Sequence, residues 1–225
     1  FTQPHGGGGP GAGPIAVSDR LEPYLMVPRI TRAEGAEGEP ARFDLEEDRP
    51  KSIGRLRGFQ GNYGVFVRSY AYICSLGGPG LREASEIAVL NANYLLALLR
   101  RPEIAPYLPL AFGERCMHEF VLSGAPMKRD LGIRTTDLAK RLLDFGYHPP
   151  TVYFPLLVEE ALLVEPTETE TRETLEEFAD AIGEILREAA EDPSIAQNAP
   201  YSTPVRRLDE AAAARTPVVR QPRPA

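Results

Sequence analysis

The sequence predicts an α/β protein, and three observations carry that reading. Between residues 118 and 191, segments of strand and helix character alternate. The helical ones place apolar residues three and four apart. Upstream, glycine- and proline-bearing loops punctuate long apolar runs.

Taken in order, residues 1–13 form a glycine-rich loop, Phe-Thr-Gln-Pro-His-Gly-Gly-Gly-Gly-Pro-Gly-Ala-Gly. Residues 14–17 read as a short strand of small and β-branched residues, and Ser18 or Asp19 caps a helical turn running toward Leu25. Residues 31–49 are charged, contain Gly and Pro, and show little periodicity, so a surface loop or flap is expected there. Residues 58–64 make a second glycine-containing loop. The apolar run 65–76 is expected as a buried helix, broken by Gly77-Gly-Pro-Gly80. Residues 81–101 carry Ala84, Ile87, Leu90, Leu95 and Leu98 almost all round a helix, a pattern that belongs inside a large protein.

After residue 102 the texture changes. Residues 118–123 read as a strand, and 135–145 as an amphipathic helix with Leu138, Leu142 and Phe145 on one face and Gly146 as its stop. Two further apolar runs lie in 152–164. The Thr167-Glu-Thr-Glu-Thr171 cluster offers helix N-caps, and its acidic stretch to Glu177 reads as a solvated helix start. The helix that follows carries Leu175, Phe178, Ile182, Ile185, Leu186 and Ala189 on one face. From Pro193 the chain is rich in Pro, Arg and Ala, a tail that wraps on a neighbour or is disordered.

Composition narrows the function classes. The 225 residues are 43% hydrophobic and 25% charged, which is globular rather than disordered. The net charge of -7 and the lack of a basic stripe argue against nucleic acid as a partner. No run of ~18 apolar residues suggests a membrane helix, and no secretory signal is visible. Cys74 and Cys116 stand far apart in apolar surroundings and read as two buried thiols rather than a disulfide or metal pair. The three histidines form no ligand cluster with them, so no metal site is expected. The chain opens at Phe1 and runs at once into the glycine loop, which reads as a break in a longer polypeptide.

The glycine loop contains G-x-G-x-x-G at Gly6, Gly8 and Gly11. A dinucleotide site needs a strand before that motif and a helix after it, whereas here Pro10 and Pro14 flank it and a strand follows. No Gly-Lys-Ser/Thr follows either, which excludes a P-loop. Four consecutive glycines do let a backbone lie against a flat ligand and offer N–H groups to anions. A flexible linker is the competing reading; the bracketing Pro4, His5, Pro10 and Pro14 favour a ligand-facing loop.

At this loop a resemblance becomes specific. Residues 1–14 are similar to the glycine-rich segment of the P-protein family of glycine cleavage, the decarboxylating glycine dehydrogenases that bind pyridoxal 5'-phosphate (PLP). In that family the segment directly follows a His-Lys-Thr motif whose lysine forms the Schiff base. Asp48-Arg-Pro-Lys-Ser-Ile-Gly54, Gly61-Asn-Tyr-Gly64, Arg68-Ser-Tyr-Ala-Tyr-Ile73, Gly77-Gly-Pro-Gly-Leu81 and Val89-Leu-Asn-Ala-Asn-Tyr94 resemble the second subunit of its two-subunit form. So do His118-Glu-Phe-Val-Leu122, Gly146-Tyr-His-Pro-Pro-Thr151 and Val164-Glu-Pro-Thr-Glu168, and the likeness spans residues 1 to about 190 in the family's order.

The resemblance implies a fold-type I PLP enzyme, with residues 1–102 ending the large domain, 103–192 forming a small C-terminal α/β domain, and 193–225 an extended tail. It implies decarboxylation of glycine, with PLP as the electron sink, and transfer of the aminomethyl group to the lipoyl arm of the H-protein. It also implies a heterotetramer with partner subunit 1, in the bacterial cytoplasm. The family's lysine falls before Phe1. Lys51, Lys128 and Lys140 lack its context, so the chain alone is expected to be inactive, carrying part of a site.

The residues that this reading singles out are Thr2 and His5, then Gly6, Gly7, Gly8, Gly9 and Gly11 for close approach to the cofactor. His5 has two readings: a hydrogen bond to cofactor or substrate carboxylate, or a bond to backbone that orients the loop. Gln60, Asn62 and Tyr63 lie in a loop that fold-type I dimers lend to a neighbouring site; a structural turn is the alternative. His148 and Thr151 sit at a helix-to-strand turn with two prolines, where a rigid turn competes with substrate contact. Arg68 or Arg134 could clamp a carboxylate. Two other functions compete: a catalytically silent scaffold or regulatory subunit of the same fold, and a different fold-type I enzyme such as an aminotransferase or another amino-acid decarboxylase. The four-glycine run and Gly61-Asn-Tyr-Gly64 argue against the latter.

Overall fold

A computed structural model describes residues 13, 15–35, 40–56, 58 and 61–220. The chain divides into two compact units, one Pro10–Tyr72 and the other built on Ile73–Ala225.

In the first unit, the stretch expected to be loop or flap contains an antiparallel hairpin. β1 (Arg29–Ala33) pairs with β2 (Arg42–Glu46), Ile30 lying opposite Leu45 and Arg32 opposite Phe43. β2 alternates charged and apolar residues but β1 (Arg-Ile-Thr-Arg-Ala) does not, and each spans only five positions, too short for a period of two to stand out in a charged stretch. A polar clasp holds the base. The Arg49 guanidinium donates to the Glu22 carboxylate at 2.8 Å, the Glu22 carbonyl at 3.0 Å and Glu46 at 3.1 Å, and Glu22 also pairs with Arg29. Ser52 Oγ donates to the Leu25 carbonyl at 2.7 Å. The strand expected at 14–17 does not form over the described residues 15–17, and the expected helical turn is a short 3-10 turn, Glu22–Tyr24.

α1 (Tyr63–Leu98) is interrupted at Gly77, whose φ of 62° and ψ of -175° leave the helical region, with Pro79 restarting the helix. This is the expected break. The burial expected before it is not seen: Phe66, Val67, Tyr70, Ile73 and Leu76 are exposed, because the described residues place no layer over that face. After the break only Asn91, Ala92, Leu95 and Leu96 are buried in α1, again fewer than expected.

The second unit holds the apolar core. Its sheet has the order β3 (Phe120–Ser123), β5 (Ala161–Val164), β4 (Thr151–Val152), all antiparallel, with fully buried β5 in the centre. Helices α2 (Ala125–Leu131), α3 (Thr135–Asp144) and α4 (Arg172–Glu191) pack around it. Leu95, Leu108, Leu122, Met127, Leu138, Leu142, Leu162, Ile182 and Ile185 fill the interior. Thr171 caps α4 by accepting the Thr174 N–H at 3.2 Å, so the Thr–Glu cluster does supply the cap. Arg141 on α3 grips Glu188 on α4 with two bonds of 2.8 and 2.9 Å.

The segment after Pro193 is not a free tail. α5 (Ser194–Gln197) packs against α3 and α4, burying Ala196 and Ala199. Asp144 Oδ1 accepts the N–H groups of Tyr201 and Ser202 at 2.6 and 2.7 Å, and Arg207 reaches Asp137 at 2.6 Å. From Tyr201 to Arg220 the described residues are exposed apart from half-buried Thr203, including the short α6 (Glu210–Arg215). The thiols also differ from expectation. Both are free, but Cys74 is exposed and Cys116 half-buried, where burial pushes its thiol up.

Candidate functional site

A cavity of about 230 Å³ opens in the second unit between the turn after α3, the exit of β5 and the start of α4. Its construction begins at Gly146. This residue adopts φ 83°, ending α3 in a paired cap: Tyr147 N–H reaches the Leu142 carbonyl and Gly146 N–H the Leu143 carbonyl, both at 3.1 Å. The chain then turns through Tyr147, His148, Pro149 and Pro150 into Thr151 on β4, and all five line the cavity. The Tyr147 ring meets Phe178 of α4 edge-on, with centroids 5.2 Å apart. Burial pushes the Tyr147 hydroxyl up, with Glu177, Asp180 and Glu170 acting in the same direction.

The opposite wall leaves β5 as Glu165-Pro-Thr167. Thr167 is buried and adopts φ 66°, a left-handed conformation that costs a β-branched residue of order 1–3 kcal/mol. Its surroundings hold it there. Asn91 of α1, itself buried, donates both amide hydrogens, to the carbonyls of Thr167 and Glu170, each at 3.0 Å. Thr167 and Thr169 hydroxyls bond at 3.1 Å. Two residues on, Asn93 bonds the Cys116 carbonyl at 2.8 Å and accepts the Cys116 N–H at 3.2 Å. His118 follows, with Nε2 lying 3.8 Å from the Glu165 carboxylate. One turn of α1 thus ties down two separate loops, of which the Thr167–Glu170 segment walls the cavity.

Leu95, Leu163, Val164, Leu175 and Phe178 give the cavity an apolar interior, while Thr151, Thr167, Thr169, Thr174, His148, Glu165 and Glu170 supply hydroxyl, imidazole and carboxylate groups. Among the described residues, no lysine or arginine lines it. Among the described residues, no cluster of three or more His, Cys, Asp or Glu could hold a metal ion. No helix among them is long and apolar enough to cross a membrane.

Of the residues singled out from sequence, the structure brings His148 and Thr151 together on this cavity. Thr2, His5, Gly6, Gly7, Gly8, Gly9, Gly11 and Gln60 lie outside the described residues. Asn62 and Tyr63 start α1 in the first unit, where the Asn62 carbonyl accepts the Val65 N–H at 2.9 Å and Tyr63 is exposed. Arg68 is exposed on α1. Arg134 is engaged, its Nε 3.4 Å from Glu160 and its guanidinium 5.5 Å from the Tyr153 ring centre. Lys128 is also engaged, 3.1 Å from Glu160, whose hydrogen bond holds the ammonium charged. The sequence reading missed Thr167, Thr169, Glu170 and Asn91, taking the threonine–glutamate run as a solvated helix start. The available signal was Asn91 itself, since asparagine is disfavoured inside a helix without a partner to bond.

Known proteins resemble this chain closely. The family described as "Glycine dehydrogenase, C-terminal domain" matches residues 84–203, a span that contains the whole cavity. A protein of Bacillus velezensis named "Probable glycine dehydrogenase (decarboxylating) subunit 2" is 54% identical over 99% of this chain. Its namesake in Halalkalibacterium halodurans is 54% identical over 98%. The chain spans 43% of the length of each of these relatives. Among solved structures, a glycine decarboxylase (P-protein) of the glycine cleavage system, crystallised in inhibitor-bound form, aligns with a TM-score of 0.57 at 21% identity. That alignment covers 74% of this chain and 37% of the other, and it establishes the shared α/β fold.

Proposed function

Since the chain belongs to the glycine dehydrogenase C-terminal domain family, we propose that it is the C-terminal part of a decarboxylating glycine dehydrogenase subunit 2. In this reading the complete protein removes CO2 from glycine and passes the aminomethyl group to the lipoyl arm of an H-protein. It works in the bacterial cytoplasm as a heterotetramer with a partner subunit 1. The observation that carries the reading is the 54% identity over 98–99% of this chain to two relatives bearing that name.

The cofactor of the proposal is PLP. Among the described residues, the cavity lining holds no lysine or arginine for its phosphate or carbonyl. On the family resemblance, its holders would be Thr2, His5, Gly6, Gly7, Gly8, Gly9 and Gly11 and a lysine in the upstream half of the polypeptide. Residues 1–102 would complete the large domain and 103–192 the small one, with 193–225 the terminal extension. Gln60, Asn62 and Tyr63 would face a neighbouring site, and His148 and Thr151 would present an imidazole and a hydroxyl toward substrate or carrier.

The test uses the full-length subunit with its partner subunit. An internal-aldimine absorbance near the visible edge, and a borohydride-trapped label on a lysine just before the segment starting at Phe1, are the expected results. Absence of both chromophore and label would overturn the enzyme reading and leave a catalytically silent subunit of the same fold.

A further inference from the structure

Loop tips that face water are ordinarily polar. The loop joining β4 to β5 does the reverse. Its residues 153–160 read Tyr-Phe-Pro-Leu-Leu-Val-Glu-Glu. Leu156 is 90% exposed, Leu157 77% and Phe154 57%.

These side chains are held outward by a braced frame. Tyr153 N–H bonds the Ala161 carbonyl at 2.8 Å, and Val158 N–H bonds the Pro155 carbonyl at 3.1 Å. At one end the Arg134 guanidinium stands over the Tyr153 ring. At the other, the buried Glu160 carboxylate accepts the Thr135 N–H at 3.1 Å and pairs with Lys128 at 3.1 Å, while its carbonyl accepts the Thr135 hydroxyl at 2.7 Å. Tyr153 and Glu160, at φ 59° and 50°, flank the loop in left-handed conformations. Val218 and Val219 are as exposed, but they sit where no regular element braces them.

An apolar centre rimmed by Lys128, Arg134 and Glu159, on a stiff support, has the anatomy of a docking surface. The relatives indicate the occupant. They match 98–100% of this chain, yet it spans only 43% of their length, so in them the same loop belongs to a polypeptide more than twice as long. We propose that Phe154, Leu156 and Leu157 dock against an apolar surface of the upstream portion of the same subunit. The proposal does not depend on the reaction the protein carries out.

The test places Leu156→Cys in the full-length subunit assembled with its partner. Alkylation is followed peptide by peptide, against Glu210→Cys on exposed α6 as the reference. Docking slows modification at 156 by at least about tenfold, since reaction then waits on local opening. Equal rates at the two positions overturn the proposal. Leu157→Cys serves as a second probe should the first variant not assemble. A photo-crosslinking residue at 156 then identifies the occupant: a cross-link into the upstream portion of the same polypeptide supports the assignment, whereas one into the partner subunit or a second copy overturns it.

Discussion

The two units are held together by different forces. Among the described residues before Ile73, only Pro28 is buried; Ile30, Phe43 and Leu45 of the hairpin are 63%, 67% and 54% exposed, and the fold rests on Arg49 and its two glutamates. From Ile73 onward, twelve large side chains lie below 2% exposure around a buried central strand. Ion pairs near water contribute little and weaken with salt, whereas buried apolar area is the dominant stabilising term. The difference teaches that the second unit carries its own core, while the first is a polar clasp bearing apolar side chains on its surface.

The sharpest way to break this comparison is to cut a core side chain. Ile182→Ala or Leu162→Ala, each at 0% exposure, should cost about 2–5 kcal/mol. The matched change Ile30→Ala should stay within about 0.5 kcal/mol. Hydrogen exchange of the full-length subunit, read separately for each unit, distinguishes the two. Equal losses would mean that the hairpin is as well packed as the core.

A smaller effect is expected at Glu160. Burial alone raises its carboxyl, but the Thr135 N–H and the Lys128 ammonium outweigh burial and hold it below its ordinary value of 4.5. A carboxyl held lower in the folded state stabilises the fold above that ordinary value and ceases to do so as pH falls through the folded value. Protection of the second unit should therefore decline below about pH 4.5, and Glu160→Gln should flatten that decline. The same substitution should cost about 1–3 kcal/mol at neutral pH through disrupted bonding around Lys128 and Thr135. Unfolding midpoints across pH 3–7 would read both.

Next comes the cavity wall. Asn91→Ala strips the amide from two carbonyls and should cost about 1–3 kcal/mol. Thr167→Gly removes the left-handed strain, so the double variant should be less impaired than the sum of the singles, with a coupling above about 0.5 kcal/mol. Strict additivity in a double-mutant cycle would separate the two residues. The mildest change is Arg49→Ala, which should speed proteolysis between residues 29 and 49 several-fold and leave the unfolding midpoint of the second unit in place.

Sequence legibility follows the same divide. α3, α4 and β5 were readable because burial on one or both faces imposes a period or an unbroken apolar run. The hairpin was not, because strands exposed on both faces have no such constraint. The packing of residues 194–207 was not legible because its anchors are Ala196 and Ala199, too small to mark a core, and Arg207, whose partner Asp137 is remote in sequence. At the cavity, Gly146 and the two prolines advertised the turn bearing His148 and Thr151. Thr167 was hidden, because a threonine–glutamate run reads the same whether it caps a helix or walls a cavity, and only Asn91, 76 residues away, decides between them.

The most direct test of the functional account is exchange of the glycine carboxyl carbon with labelled bicarbonate, catalysed by the full-length subunit with its partner subunit and a lipoylated carrier. The expected result is label incorporation into glycine but not into alanine, with the rate reduced by substitutions at His148 or Thr151. Absence of exchange in an assembled, PLP-loaded complex would contradict the account.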